Sequence, residues 1–304
     1  MNFNTSKKIV VVAIIFIIIF WIVGVQRKKD ILKHKEELDK ESVVLSDTNQ
    51  NPEEITIYDI EDGYLKVPFN KEADKHNYDW SKLSKTNGMY KYEDDNYTSK
   101  LGIDVSSHQK DINWKKVKEA GIDFVIIRIG YRGYGESGKV TIDSYFEKNY
   151  EGARAAGLDV GVYFFSQAIT VDEVKEEAEF VFKHLKGKEI SYPVVYDLEK
   201  IKNEPARTDN LTSEQINDMT LEFCNLVKEK GYTPSVYGNS KTFTTKMALE
   251  KFNDIDKWYA GYPEAGNYDY PFYPYEFNLW QYTETGTLPG VNTQVDINIE
   301  FIKK

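Results

Sequence analysis

One cysteine, Cys224, stands in 304 residues, so neither an intrachain disulfide nor a cysteine-based zinc site can form. Cys224 shares a helical face with Ile216, Thr220 and Val227, the placing of a small core residue rather than of a reactive thiol. Histidine is almost as scarce: His34, His76, His108 and His184 are too scattered to suggest a ligand set, and no metal or other cofactor is expected. Basic clusters are missing outside the flanks of one apolar segment, and the formal net charge is −10. That balance excludes nucleic acid, which demands Lys and Arg against its phosphates.

What the chain does hold is unevenly spread. Residues 9–25 form an uncharged apolar run of 17, with Lys7 and Lys8 before it and Arg27, Lys28 and Lys29 after it. At ~1.5 Å rise per residue this is long enough for a short membrane-spanning helix, so residues 1–29 are expected to form a membrane anchor with basic flanks. No small-residue cleavage pair follows Ile22-Val23-Gly24-Val25-Gln26, so the anchor is expected to be retained. Residues 30–55 are polar and charged and are expected to act as a stalk. Residues 56–100 regain aromatics, among them Tyr58, Tyr64, Phe69, Tyr78, Trp80 and Tyr90, too many for a solvated linker. They predict a small strand-rich extension packed on residues 101–304. That last segment carries 24 Lys and Arg against 32 Asp and Glu, so most of the negative surplus lies there.

From Leu101 onward short apolar runs alternate with amphipathic stretches, the pattern of βα units. Strands are expected at 101–105, 124–129, 160–165, 193–196, 235–237, 258–261, 278–281 and 294–297. Helices are expected at 114–120, 144–156, 172–185, 213–230 and 242–251. Thr170 with Glu173, and Thr212 with Gln215, have capping-box spacing, and Gly121, Gly157, Gly187 and Gly231 sit where left-handed helix ends need glycine. Eight strands and five helices predict an α/β fold, an irregular TIM-type (β/α)5β3 barrel preceded by a transmembrane helix and stalk.

Such barrels build their sites at the C-terminal ends of strands. Asp104 falls at the end of the first expected strand, Asp197 and Glu199 at the end of the fourth, and Asp296 within the eighth. In Tyr196-Asp197-Leu198-Glu199 the acids are two apart, which on an extended chain puts both on one face. Crowded carboxyls resist joint ionisation, so one can keep a proton as a general acid beside a charged neighbour, as glycoside hydrolysis requires. An acid pair two apart is common by chance; the apolar run Pro193-Val194-Val195-Tyr196 that delivers it is what singles it out.

The segments Gly102-Ile103-Asp104-Val105-Ser106, Asp111-Ile112-Asn113-Trp114, Phe124-Val125-Ile126-Ile127-Arg128, Gly161-Val162-Tyr163-Phe164-Phe165, Tyr196-Asp197-Leu198-Glu199 and Val295-Asp296-Ile297-Asn298 together resemble the glycoside hydrolase family 25 lysozymes. The resemblance covers residues 101–304. It implies a metal-free N-acetylmuramidase that cleaves the β-1,4 bond between N-acetylmuramic acid and N-acetylglucosamine. By the same resemblance Glu199 is the general acid and Asp197 steadies the substrate's own 2-acetamido group as it attacks the anomeric carbon. Asp104 and Asp296 match two further acids of the family's pocket. The implied partner is the peptidoglycan glycan strand, with the membrane as a second partner through the anchor and the catalytic part outside the cell. Two other readings remain open, a non-catalytic wall-binding scaffold and another barrel glycosidase such as a chitinase or N-acetylglucosaminidase.

Residues 258–302 contain no Lys or Arg and are dense in aromatic rings, onto which sugars stack. Trp280 in that stretch, with Tyr163 and Tyr237 near strand ends, is a candidate substrate contact or else fills the core. Arg128 is expected either to pair with an active-site acid and touch substrate or to form a structural ion pair. His108 follows the first strand and suits a loop hydrogen bond or a substrate contact. The glycines at 130, 133 and 135 do not have dinucleotide-loop spacing.

Overall fold

Phe124-Val125-Ile126-Ile127 has no exposed side chain on either face, as a strand covered on both sides requires. The structure, a computed structural model, describes residues 53–59, 62–263 and 270–304. Two hairpins come first, β1 (Glu54–Asp59) with β2 (Gly63–Pro68), and β3 (Leu83–Thr86) with β4 (Met89–Tyr92). Then β5 (Tyr97–Val105), α1 (Trp114–Glu119), β6 (Phe124–Arg132), the short β7 (Val140–Ile142), α2 (Phe146–Ala155), β8 (Asp159–Ser166) and α3 (Val171–Leu185) follow. The chain continues through β9 (Val194–Leu198), α4 (Ser213–Glu229), β10 (Pro234–Asn239), β11 (Asp256–Ala260), β12 (Leu279–Gly286) and β13 (Val295–Lys303). A closed barrel runs β5-β6-β8-β9-β10-β11-β12-β13 and returns to β5, while β7 hangs antiparallel on β6.

Strands stand at all eight expected positions, but the expected TIM-type (β/α)5β3 barrel is overturned, while the transmembrane helix expected before it falls on residues outside those described. β13 runs antiparallel to both β12 and β5, because the connection 287–294 is too short for the crossover a parallel pair needs. Four α-helices, not five, occur among the described residues. The stretch expected as a fifth is a π-type turn, Thr242–Lys246, and a 3₁₀ turn, Leu249–Phe252. There the hydroxyls of Thr244 and Thr245 bond the carbonyls of Ser240 and Lys241 at 2.7 Å each, and this local competition favours a distorted turn. No helix among the described residues is long and apolar enough to cross a membrane. The expected anchor, residues 1–29, and the stalk up to residue 52 lie outside the described residues.

Helix starts follow the sequence: Thr170 caps α3, and Thr212 with Gln215 forms a full capping box on α4. Cys224 is wholly buried on α4. Apolar side chains form two layers. Phe124, Ile126, Val195, Trp258 and Leu279 fill the barrel, with Tyr163 and Tyr237 packed on them. A Cβ on Gly102 would lie 2.2 Å from the Phe124 ring, so β5 needs glycine there to let that ring in. Outside the strands, the larger layer joins the helices to the N-terminal hairpins. Tyr78 stacks on Phe301 at 4.3 Å and donates to the Phe277 carbonyl, Phe69 stacks on Tyr275, and Tyr90 meets Trp280 and Tyr282.

Candidate active site

β5, β9 and β13 bring the four predicted acids to one end of the barrel. Asp104 and Asp296 are direct partners across the antiparallel β5–β13 ladder. On β9, Val195 and Asp197 turn inward while Tyr196 turns outward to Phe223, and Glu199 follows two residues beyond Asp197.

Asp104 is 4% exposed, and its Oδ2 accepts from Gln281 Nε2 at 2.8 Å and Asn298 Nδ2 at 2.9 Å. Asp296 also bonds to it. Burial raises Asp104 despite these donors. Burial, and then the charge of Asp104, pushes Asp296 up to about 10, so Asp296 keeps its proton and donates it to Asp104. Gln281 is fixed in turn, since its Oε1 accepts from Tyr237 at 2.8 Å and Tyr262 at 2.7 Å. Trp258 Nε1 donates to Asn298 Oδ1 at 2.8 Å, which orients that amide.

The second pair is Asp197 and Glu199, hydrogen-bonded to each other. Burial, then the charge of Glu199, raises Asp197 well above the usual carboxylate range, with Arg128 opposing. Burial pushes Glu199 up to about 7. Asp197 is 4% exposed, whereas Glu199 is open to solvent and lines the neighbouring cavity. Two carboxyls so joined titrate as a unit and share a proton near neutrality. Asp197 Oδ1 is buried and has no hydrogen-bond partner. A cavity of about 380 Å³ opens beside Glu199, with Leu198, Tyr237, Gly261, Tyr262 and Glu284 on its wall. That volume is within the ~300–1,000 Å³ of small-ligand sites. An acid with a shared proton, at the edge of such a cavity, is equipped to protonate a leaving oxygen.

The other predicted contacts divide. Tyr163 lies inside the barrel, edge-on to Trp258 at 6.1 Å, in the field of Arg128 and of Asp104, Asp197 and Asp296. Tyr237 reaches both Gln281 and the cavity. Trp280 is a correction: it is fully buried on the outer face of β12, with its Nε1 donating to the Gly261 carbonyl and its ring against Tyr90. Alternation gives the inward places to Leu279 and Gln281. Arg128 takes the structural alternative, because its Nε and Nη2 both meet Asp143 Oδ2 at 2.8 Å and Nη2 donates to Ser107 Oγ at 3.1 Å. It affects Asp197 only through its charge. His108 is exposed, and its backbone N–H donates to Ser106 Oγ at 3.2 Å.

Sequence reasoning missed Gln281, Asn298, Tyr262 and Asp143. Asn298 was findable, because Asp296 and Asn298 are two apart on one strand, the spacing that marked Asp197 and Glu199. Gln281 carried a weaker signal, as a polar residue between two aromatics on a barrel strand.

The sequence pattern of glycosyl hydrolases family 25 matches residues 103–291. The uncharacterized protein YegX of Escherichia coli K12 is 25% identical over 204 residues, which cover 65% of this chain and 68% of YegX. Lysozyme M1 of Streptomyces globisporus is 27% identical over 207 residues, covering 65% of this chain and 66% of its own length. The structure of a family 25 glycosyl hydrolase from Bacillus anthracis is similar with a TM-score of 0.55 at 21% identity, covering 71% of this chain and 94% of that one. The structural likeness bears on the fold and makes the barrel a family 25 barrel. The family pattern spans well over half of the residues, and the chain therefore belongs to glycosyl hydrolases family 25 and is a glycoside hydrolase.

Proposed function

We propose that the protein is a lysozyme of the N-acetylmuramidase type, hydrolysing the β-1,4 bond between N-acetylmuramic acid and N-acetylglucosamine in peptidoglycan. The observation that carries this reading is the Asp197–Glu199 pair: a shared proton at a cavity edge, and a buried carboxylate oxygen without a partner. Glu199 gives its proton to the glycosidic oxygen as the C–O bond breaks. The carbonyl oxygen of the substrate's 2-acetamido group attacks the anomeric carbon, and its N–H donates to Asp197 Oδ1, which satisfies that oxygen. Water then opens the cyclic intermediate with Glu199 as base, and the anomeric configuration is retained. Asp104, held by Gln281 and Asn298 and accepting a hydrogen bond from the protonated Asp296, supplies a fixed negative end to the site behind the reacting sugar. The lysozyme named among the relatives supports the substrate class.

Residues 101–304 are taken as the catalytic unit and 56–100 as its extension. We place this unit outside the cell, kept near the membrane by residues 9–25; the support is the sequence of that run together with the acidic surplus, which an anionic wall repels. Full-length protein is expected in the membrane fraction, with the barrel open to added protease. Protection of the barrel in intact cells would refute the placement. For the reaction, mass spectrometry of fragments released from purified walls decides. Muramic acid at the new reducing end is expected, and N-acetylglucosamine there would mean a glucosaminidase instead.

A further inference from the structure

The cavity beside Glu199 extends beyond the barrel. Its wall includes Tyr58 and Asp59 at the end of β1 together with Leu211, Ile216 and Tyr262. We propose that this outer part is a distal saccharide subsite, built jointly by the barrel and the N-terminal hairpin, which takes a sugar of the glycan strand remote from the cleaved bond. It rests on the glycan-hydrolase reading above, but not on which bond is cut.

Continuity is the first support, since one cavity reaches from Glu199 to Tyr58. The lining chemistry is the second. Aromatic rings and aliphatic side chains mix with polar groups, and lysines and carboxylates are equal in number on the wall. A charge-balanced, amphipathic wall suits a ring with apolar C–H faces and hydroxyl edges better than a phosphate or a free anion. The third support is the fastening of the hairpin. Lys241 of the barrel side forms an ion pair with Asp62, and Asp59 Oδ1 accepts from the Asp62 N–H at 3.0 Å. Asn70, just beyond β2, donates through Nδ2 to Glu250 and through its N–H to the Tyr275 hydroxyl, both at 2.7 Å. Tyr58 is braced edge-on by Tyr64 at 5.1 Å. A ring held in advance binds a sugar with little ordering cost. The hairpin lies outside residues 103–291, so the subsite is an addition to the family unit.

The test is calorimetric binding of a peptide-free glycan octasaccharide to the full chain carrying Glu199→Gln, which removes turnover. Adding Tyr58→Ala is expected to weaken binding about ten-fold, and Tyr58→Phe, which keeps the ring, less than about two-fold. An affinity unchanged by Tyr58→Ala, or no binding by the parent, overturns the subsite. If Tyr58→Ala fails to fold, Asp62→Lys sets two cations against each other at the seam and is expected to weaken binding similarly; unchanged affinity there overturns the proposal equally. The two readings fail separately. Binding through Tyr58 with no fragments released by the wild type refutes the hydrolytic reading and leaves the subsite standing. Normal cleavage with affinity indifferent to Tyr58 refutes the subsite alone.

Discussion

Burial pushes two glutamates of this chain up to about 7, Glu177 outside the barrel and Glu199 at its mouth. Around Glu177 both oxygens are satisfied. Oε1 accepts from Arg132 Nε at 2.7 Å and Oε2 from Ser166 Oγ at 2.8 Å, while Arg132 also reaches Glu176 and two backbone carbonyls. The Glu177 side chain is 0% exposed, so no substrate can touch it. Around Glu199 the bonded neighbour is another carboxyl, the partner's second oxygen is unsatisfied, and solvent enters. A raised carboxyl therefore does not by itself mark chemistry. What separates the two places is whether a fixed cation closes the network and whether a ligand can enter.

Exchanging each glutamate in turn breaks the comparison most sharply. Glu199→Gln is expected to lower kcat on purified walls roughly 10³-fold with an unmoved unfolding midpoint. Glu177→Ala is expected to cost about 3–5 kcal/mol of stability, because it removes the buried one of the two carboxylates that pair with Arg132 and leaves a cavity there, with turnover per folded molecule retained. Turbidity loss and thermal melts read both. Trp280→Ala comes next: the ring is buried against Tyr90, so a loss of about 3–5 kcal/mol in stability with unchanged KM is expected. A raised KM at full stability would restore Trp280 to the substrate. Gln281→Leu removes the amide that bridges Asp104 to two tyrosines, and a fall of about 10²-fold in kcat/KM is expected, measured on soluble glycan. The smallest effect concerns stability against pH. Both glutamates ordinarily titrate near 4.5 and in the fold near about 7, so the folded chain binds more protons between those values. Stability is then expected to fall as pH rises from about 4.5 to about 7, and Glu177→Gln to flatten part of that slope in denaturant titrations. The solvent-open Glu199 contributes the smaller share.

Much of this was legible in the chain. Apolar runs ending in acids marked β5 and β9, and the two-residue spacing of Asp197 and Glu199 survives as a hydrogen-bonded pair. Glycines at 121, 157, 187 and 231 have the positive φ expected of helix ends. Other features depend on tertiary partners that local pattern does not contain. Threonine hydroxyls divert the turn after β10 from an α-helix, and the short return from β12 to β13 forces an antiparallel closure. Trp280 resembled a sugar platform because its cover, Tyr90, comes from 190 residues earlier in the chain. Gln281 gains its role only where β12 passes Asp104, which stands 177 positions away.

The proton on Glu199 is tested most directly by the pH dependence of kcat/KM on a soluble glycan for the wild type and for Glu177→Gln. The expected result is a fall in rate as pH rises through about 7, identical in the two proteins, because the limb belongs to the Asp197–Glu199 pair. A rate that stays flat from about pH 6 to about pH 8, or a limb that moves when Glu177 is replaced, would contradict the assignment of that proton to catalysis.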